Sequence, residues 1–173
     1  MYSDELPTLE DNRPAMLQQE VDPLDFDGDD IITTTHPVNA QTCYELFCDI
    51  DRIPEWVSAV RSVQSLAFDD AGSPFKAAFL AIFGSASTGY TLEYDYYDQH
   101  RMVSWATPNG TLARIAGRAL FVPLSDRAAM MHYQLEVDWP PSLGLGRSLY
   151  DGHPASASLN DFRDYVTRAF MLC

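Results

Sequence analysis

Basic residues are scarce in this 173-residue sequence, which has one lysine, Lys76, and ten arginines against 25 acidic residues. The formal net charge is −14 at pH 7. A phosphate backbone or an anionic lipid surface would be repelled by this charge. We therefore expect no nucleic-acid partner.

Long apolar segments are missing as well. The longest run, Ala77 to Phe83, is far shorter than the ~20 residues of a membrane-spanning helix. The first residues do not form a basic stretch followed by an apolar one, so we expect no secretory signal peptide. Together these features predict a cytoplasmic protein without integral membrane association.

Cysteine is rare, and the chain contains only Cys43, Cys48 and Cys173. Cys43 and Cys48 lie on a predicted helix at a spacing that places them on diverging faces. An odd number of cysteines with this spacing favours reduced thiols over a disulfide.

Motifs for metal binding or nucleophilic catalysis are also lacking. The histidines show neither the mutual spacing nor the neighbouring glutamate or cysteine of a metal site; they are His36, His100, His132 and His153. The sequence has no nucleophile elbow, glycine-rich phosphate loop or paired-carboxylate motif. We therefore expect no metal and no cofactor, and motifs identify no catalytic residue.

The acidic excess is concentrated in the first 30 residues, which hold ten acids and Arg13 as their only base. We interpret residues 1–27 as an acidic, mobile N-terminal extension. A docking segment for a protein partner is the alternative. Because 46% of the chain is apolar, the remainder is predicted to fold as a single domain over residues 28–173.

The stretch from His36 to Trp56 organises the predicted fold. It follows a predicted first strand over Asp30–Thr35, whose β-branched residues favour extended structure. Asn39 can cap a helix in which apolar residues recur at helical spacing, namely Cys43, Leu46, Phe47 and Ile50. Pro54 suits the opening of a second short helix that delivers Trp56 into a core.

Alternating apolar and polar residues predict six further strands. The pattern is clearest where Tyr90, Leu92 and Tyr94 share one face. The predicted strands are Val60–Phe68, Phe75–Phe83, Thr88–Tyr97, Met102–Ala106, Leu112–Val122 and Ala128–Asp138. Turn signals rather than helices join them, which indicates an antiparallel sheet in an α+β arrangement.

A helix is predicted near the C-terminus, where apolar residues form a stripe at helical spacing: Leu159, Phe162, Val166 and Phe170. Glycines and a proline interrupt the sequence before it, at Gly144, Gly146, Gly152 and Pro154. We interpret Leu143–Tyr150 as a separate turn or a mobile flap over the mouth of a cavity.

This order of elements resembles the START/Bet v1-like (SRPBCC) superfamily, in its bacterial polyketide cyclase/dehydrase and lipid-transport branch. The residues that match its first segment are Pro37, Ala40, Tyr44, Leu46, Phe47, Asp49, Pro54 and Trp56. The resemblance implies a helix-grip fold, in which a curved antiparallel sheet of about seven strands wraps a long C-terminal helix. Two short helices follow the first strand, and a cavity lies between the sheet and the C-terminal helix.

The alternation of residues along each strand, and the helical repeat near the C-terminus, predict which residues face inward. They are Phe79, Tyr90, Leu92, Tyr94, Trp105, Ile115, Phe121, Tyr133 and Leu135 on the sheet, faced by Phe162, Val166 and Phe170 on the helix. A solid core would explain them without a ligand. The buried tyrosine hydroxyls, and glycines that allow strands to bend (Gly84, Gly89 and Gly117), favour a ligand cavity.

Two outward assignments accompany this set. His132 alternates with Met131 and Tyr133, which places it on the outer face. Arg114 and Arg118 share a strand face that we expect to be solvated, bonded to acids such as Glu93, Asp95 or Glu136. A register error of one residue would instead turn these arginines into the cavity as polar anchors.

The resemblance implies binding or transport of a hydrophobic, lipid- or polyketide-like small molecule. A polyketide aromatase/cyclase or dehydratase is the first alternative. Such an enzyme needs an acid–base constellation in its cavity, for which the sequence offers tyrosines but no convincing partner. A protein-interaction module that uses the acidic segment is the second alternative.

Overall fold

The computed structural model describes residues 30–143 and 154–171. Within them, seven strands form one antiparallel sheet in the order β1-β7-β6-β5-β4-β3-β2. The strands are β1 Ile32–His36, β2 Val60–Phe68, β3 Pro74–Phe83, β4 Ala86–Tyr97, β5 Met102–Ala106, β6 Arg114–Ser125 and β7 Ala128–Asp138. The helices are α1 Ala40–Cys48, α2 Ile53–Trp56 and α3 Pro154–Met171. This is the predicted helix-grip α+β architecture.

Strand β6 is displaced from its predicted position, which was Leu112–Val122. It begins later because Thr111 closes a local turn, where its hydroxyl lies within hydrogen-bond distance of the carbonyl oxygens of Pro108 and Ala113. It continues past Pro123, because a register shift between Pro123 and Ser125 accommodates the missing N–H. Strand β1 likewise begins at Ile32 rather than Asp30 and includes His36.

The strands are joined by tight connections. Gly84 lies in the two-residue link between Phe83 and Ala86, which are paired across β3 and β4. Its φ of +60° is a conformation that glycine adopts without steric cost. The predicted turn at this position is therefore confirmed.

The sheet is strongly curved. Trp139, directly after β7, lies with its ring centroid 5.3 Å from that of Phe83 and 5.6 Å from that of Tyr90. These partners belong to β3 and β4, although β6 and β5 separate β7 from β4 in the sheet. The end of β7 therefore approaches β3 and β4 across the concave face of the sheet.

Helix α1 begins at the predicted cap. Asn39 has an extended backbone, and its Oδ1 accepts a hydrogen bond of 2.9 Å from the Thr42 backbone N–H. This bond satisfies one of the N–H groups that have no partner within the helix. The capped helix buries Cys43, Tyr44 and Phe47 against the sheet.

Replacing Asn39 by alanine is expected to lower the free energy of unfolding by about 1 kcal/mol, because the Thr42 N–H loses its acceptor. Asn39→Asp keeps an acceptor at the same place and serves as the control. Urea denaturation of both variants measures the effect. Equal stability of the wild type and the alanine variant would contradict the capping role.

Helices α1 and α3 cover the concave face of the sheet. Helix α1 packs against β6 and β7, and α3 packs against β1 and β7. The ring centroid of Phe162 on α3 lies 5.2 Å from that of Phe47 and 5.0 Å from that of Trp56. An aromatic cluster therefore joins all three helices to the sheet.

The described part of the chain departs from the sequence prediction at the end of α3. Phe170 was predicted to face inward, but 43% of it is exposed. The apolar stripe continues past the sheet that buries its earlier members. Residues 1–29 and 144–153, with the predicted N-terminal extension and most of the predicted flap, lie outside the described residues. No described helix combines the length and apolar character that crossing a bilayer requires.

Candidate ligand cavity

A cavity of about 120 Å³ lies on the concave face of the sheet, measured as the space open to the centre of a water-sized sphere. Strands β2 to β7 and helices α1 to α3 all contribute to its wall. The half-buried residues of the wall include Val57, Phe83, Trp139 and Ser158. Helix α3 contributes Ser158, near its start, to the described wall.

Most of the sheet residues predicted to face inward line this cavity. They are Phe79, Tyr90, Leu92, Tyr94, Trp105, Ile115, Tyr133 and Leu135. Register explains why they converge, since Phe79 pairs with Tyr90 and Tyr94 pairs with Trp105 across neighbouring strands. Residues paired directly across an antiparallel sheet point to the same face.

The other predicted residues, Phe121, Phe162 and Val166, lie in the packed core beside the cavity rather than in its wall. All three are fully buried. The ring of Phe162 contacts those of Phe47 and Trp56, so the space between α3 and the sheet is filled at this level. The helix reaches the cavity one turn earlier, at Ser158.

Several wall residues were not predicted to line a cavity. Among them are Phe47, Ile53, Trp56, Val57, Val60, Ala81, Phe83, Val137 and Trp139. Parity alone could have identified Ala81 and Phe83, which alternate with Phe79 on β3, and Val137, which follows Leu135 on β7. Trp56 was assigned to a core. The position of Trp139 depends on the curvature of the sheet, which the sequence pattern does not specify.

The described cavity wall is apolar and contains no charged side chain. Its polar side chains are those of Ser158 and of several tyrosines and tryptophans. Burial, followed by the neighbouring Tyr96 and Tyr90, raises the pKa of Tyr94 well above its usual value. Tyr94 therefore stays protonated at physiological pH. It can donate a hydrogen bond but does not serve as a base.

Two indole groups of the wall are buried donors without an acceptor among the described residues: the Nε1–H groups of Trp56 and Trp139. A buried donor without a partner costs about 1–3 kcal/mol. Both N–H groups are closed to a water-sized sphere, so they lie behind the cavity surface rather than open to it.

Comparisons with known proteins place this geometry in a recognised fold. No protein-family model and no curated protein sequence matches the chain. A START superfamily protein from Mycobacterium smegmatis superposes with a TM-score of 0.63 and 18% identity, over 83% of this chain and 97% of that one. The chain has the START/Bet v1-like fold.

Other solved structures with this fold are named as enzymes. The ZhuI aromatase/cyclase from Streptomyces sp. R1128 superposes with a TM-score of 0.60 and 11% identity, over 80% of this chain and 92% of that one. Norcoclaurine synthase from Thalictrum flavum, in complex with dopamine and hydroxybenzaldehyde, has a TM-score of 0.56 and 12% identity. That match covers 80% of this chain and 85% of the synthase chain. At these identities the likeness shows the fold.

Arg114 and Arg118 of β6 lie on the outer face of the sheet, as predicted. Arg114 forms an exposed ion pair of 3.2 Å with Asp138, and Arg118 donates a hydrogen bond of 2.9 Å to the Gln134 side chain. Asp138 was not among the acids expected as partners, and Glu93 pairs with Lys76. The arginines therefore do not anchor a ligand in the cavity. His132 also lies outward and contacts Thr33.

The cysteines of the described fold are free thiols. Burial raises the pKa of the Cys43 and Cys48 thiols to about 12. Both therefore stay protonated and are poor nucleophiles at neutral pH. Among residues 30–143 and 154–171, no cluster of three or more histidine, cysteine or acidic side chains could hold a metal. Cys173 lies outside the described residues.

His36 is a buried titratable group at the end of β1. It is 2% exposed, and its ring centroid lies 5.3 Å from that of Phe162 on α3. Neither ring nitrogen has a hydrogen-bond partner among the described residues. Burial, with the nearby charge of Arg163, lowers the pKa of His36 from 6.5 to about 4.

This pKa shift predicts acid destabilisation. Between pH 6.5 and pH 4 the unfolded state binds a proton that the folded state does not, so stability falls as the pH is lowered through this window. From pH 7.5 to pH 5, His36 alone is expected to remove about 2 kcal/mol from the free energy of unfolding. In His36→Phe this contribution should disappear. Urea denaturation of both proteins at both pH values measures it, and a pH-independent difference between them would contradict the prediction.

Proposed function

We propose that this protein binds a hydrophobic small molecule in the cavity between the sheet and α3. The observation that carries this proposal is the cavity wall, which is lined by aromatic and aliphatic side chains without a charged group among the described residues. Ligand sites are typically concave and apolar with a few polar groups that fix orientation. The tyrosine and serine hydroxyl groups of the wall fit that second role.

The fold neighbours support the same conclusion. Norcoclaurine synthase, which shares the START/Bet v1-like fold, is described in complex with two ring compounds. The ZhuI protein is described as an aromatase/cyclase. The predicted lipid- or polyketide-like character of the ligand belongs to this proposal.

Binding or transport is favoured over catalysis by the chemistry of the wall. A polyketide cyclase or dehydratase needs groups that move protons. The described wall offers tyrosine and serine hydroxyl groups, and the raised pKa of Tyr94 keeps that residue protonated. The predicted protein-interaction role of the acidic segment concerns residues outside the described range and stays a prediction.

Native mass spectrometry of the freshly purified full-length chain, followed by denaturing extraction, tests this function. We expect a stoichiometric complex with a neutral organic compound, which extraction then identifies. The protein should also take up one equivalent of such a compound when it is added. The mass of the bare polypeptide in both experiments, including incubation with fatty acids and neutral aromatic compounds, would contradict the proposal.

A further inference from the structure

Gly117 lies directly beneath the indole ring of Trp105. The two residues are paired across β5 and β6 on the concave face of the sheet. A Cβ atom built on Gly117 would overlap Cζ2 of Trp105 and lie 2.6 Å from its Cε2. It would also lie 2.8 Å from the carbonyl oxygen of Gln134 on β7. Real Cβ atoms essentially never make contacts this short, so a side chain at position 117 must displace the indole ring and strain the backbone of β7.

The indole ring also packs against other rings of the cavity wall. Trp105 lines the cavity and is 6% exposed. Its ring centroid lies 5.6 Å from that of Phe47 and 5.7 Å from that of Tyr133. Because β6 lies behind it, displacement of the ring by a side chain at position 117 would be directed toward the cavity. The absence of a side chain at Gly117 therefore preserves cavity volume.

The size and chemistry of that volume limit what it can hold. A cavity of about 120 Å³ is close to the engineered apolar cavity of about 150 Å³ that binds benzene. A charged ligand would lose its hydration without gaining an opposite charge, since the described wall contains none. Aromatic walls favour flat rings, which stack on them or contact their edges.

We propose that the ligand is a neutral compound of one or two fused rings and that the Gly117–Trp105 pair sets its size limit. This inference rests on the proposed binding function. It identifies Gly117 as a specificity-determining position, although it has no side chain to contact the ligand. Because glycine has no Cβ, the six-membered ring of the Trp105 indole can lie against the backbone at position 117.

The test is calorimetric titration of the full chain with phenol, 2-naphthol and 9-phenanthrol, which are neutral and differ in ring number. The wild type should bind phenol and 2-naphthol, and should bind 9-phenanthrol at least ~10-fold more weakly than 2-naphthol. Gly117→Ala should weaken 2-naphthol binding by ~10-fold or more. Gly89→Ala is the matched control, since its Cβ would make an ordinary contact of 3.7 Å with the Phe79 carbonyl oxygen.

Substitution of the indole supplies the converse experiment. Trp105→Phe removes the ring atoms that meet the Gly117 Cβ and should raise the affinity for 9-phenanthrol by ~10-fold. In the double variant with Gly117→Ala, 2-naphthol binding should return to within ~3-fold of the wild type. The stability of that variant should recover only in part, because the Gln134 carbonyl remains close to position 117. If Gly117→Ala does not fold, Trp105→Phe and the double variant decide the question.

The outcomes separate this inference from the function on which it rests. A wild type that binds none of the three compounds overturns the size limit and counts against the binding function as well. Equal wild-type affinity for 2-naphthol and 9-phenanthrol overturns the size limit alone. The size limit is also overturned if folded Gly117→Ala binds 2-naphthol as tightly as the wild type does, or if Trp105→Phe binds 9-phenanthrol no more tightly than the wild type does.

Discussion

Replacing Phe162 by alanine is expected to lower the free energy of unfolding by about 3–5 kcal/mol. Phe162 is fully buried on α3, and its ring contacts those of His36, Phe47 and Trp56. These partners come from β1, α1 and α2. Loss of the ring removes the apolar burial that joins three elements to α3, and leaves a cavity that the neighbouring rings fill only partly.

Phe170→Ala is the matched control on the same helix. Because 43% of Phe170 is exposed, its truncation is expected to cost less than ~1 kcal/mol. Urea denaturation of both variants, without ligand, measures the difference. A Phe162→Ala variant that loses no more stability than Phe170→Ala would show that the cluster does not attach α3 to the sheet.

Replacing Ala81 by phenylalanine is expected to abolish 2-naphthol binding, with a loss of ~100-fold or more in affinity. Ala81 lines the cavity from β3 and is 1% exposed. A phenyl ring added there occupies the space that a one-ring ligand would fill. Some overpacking is expected as well, at a cost of about 1–3 kcal/mol in stability.

Ala78→Phe makes the same substitution on the same strand but on the opposite face. Ala78 pairs with Gln64 and Thr91, away from the concave face of the sheet. We expect its affinity for 2-naphthol to stay within ~3-fold of the wild type. Equal losses in the two variants, or full binding by a folded Ala81→Phe, would contradict the location of the site.

The alternation of apolar and polar residues along the strands predicted which residues lie on the concave face of the sheet. Tyr90, Leu92 and Tyr94 alternate with polar residues on β4, and the outward arginines Arg114 and Arg118 fix the inward side of Ile115. All of these assignments agree with the burial and pairing of the strands. Parity depends on the local geometry of one strand, which is why it can be judged without knowledge of the tertiary structure.

Which residues of α3 reach the cavity could not be predicted in the same way. The 3.6-residue period gives the apolar face of α3, but it does not tell where that face meets open space. Ser158 reaches the cavity, whereas Phe162 is enclosed by other rings and Phe170 extends past the sheet. Gly117 was expected to allow a bend, and the structure shows that it makes room for Trp105. Both outcomes depend on packing between elements distant in sequence.

The most direct test of the central claim is to locate bound 2-naphthol by intermolecular NOEs to assigned methyl groups. The account predicts contacts to Leu92, Ile115 and Val137, which line the cavity. Leu80 and Ile82 provide the internal comparison, since they are about 40% exposed on the outer face of β3. Contacts to Leu80 and Ile82 without contacts to the cavity methyl groups would contradict a binding site inside the fold.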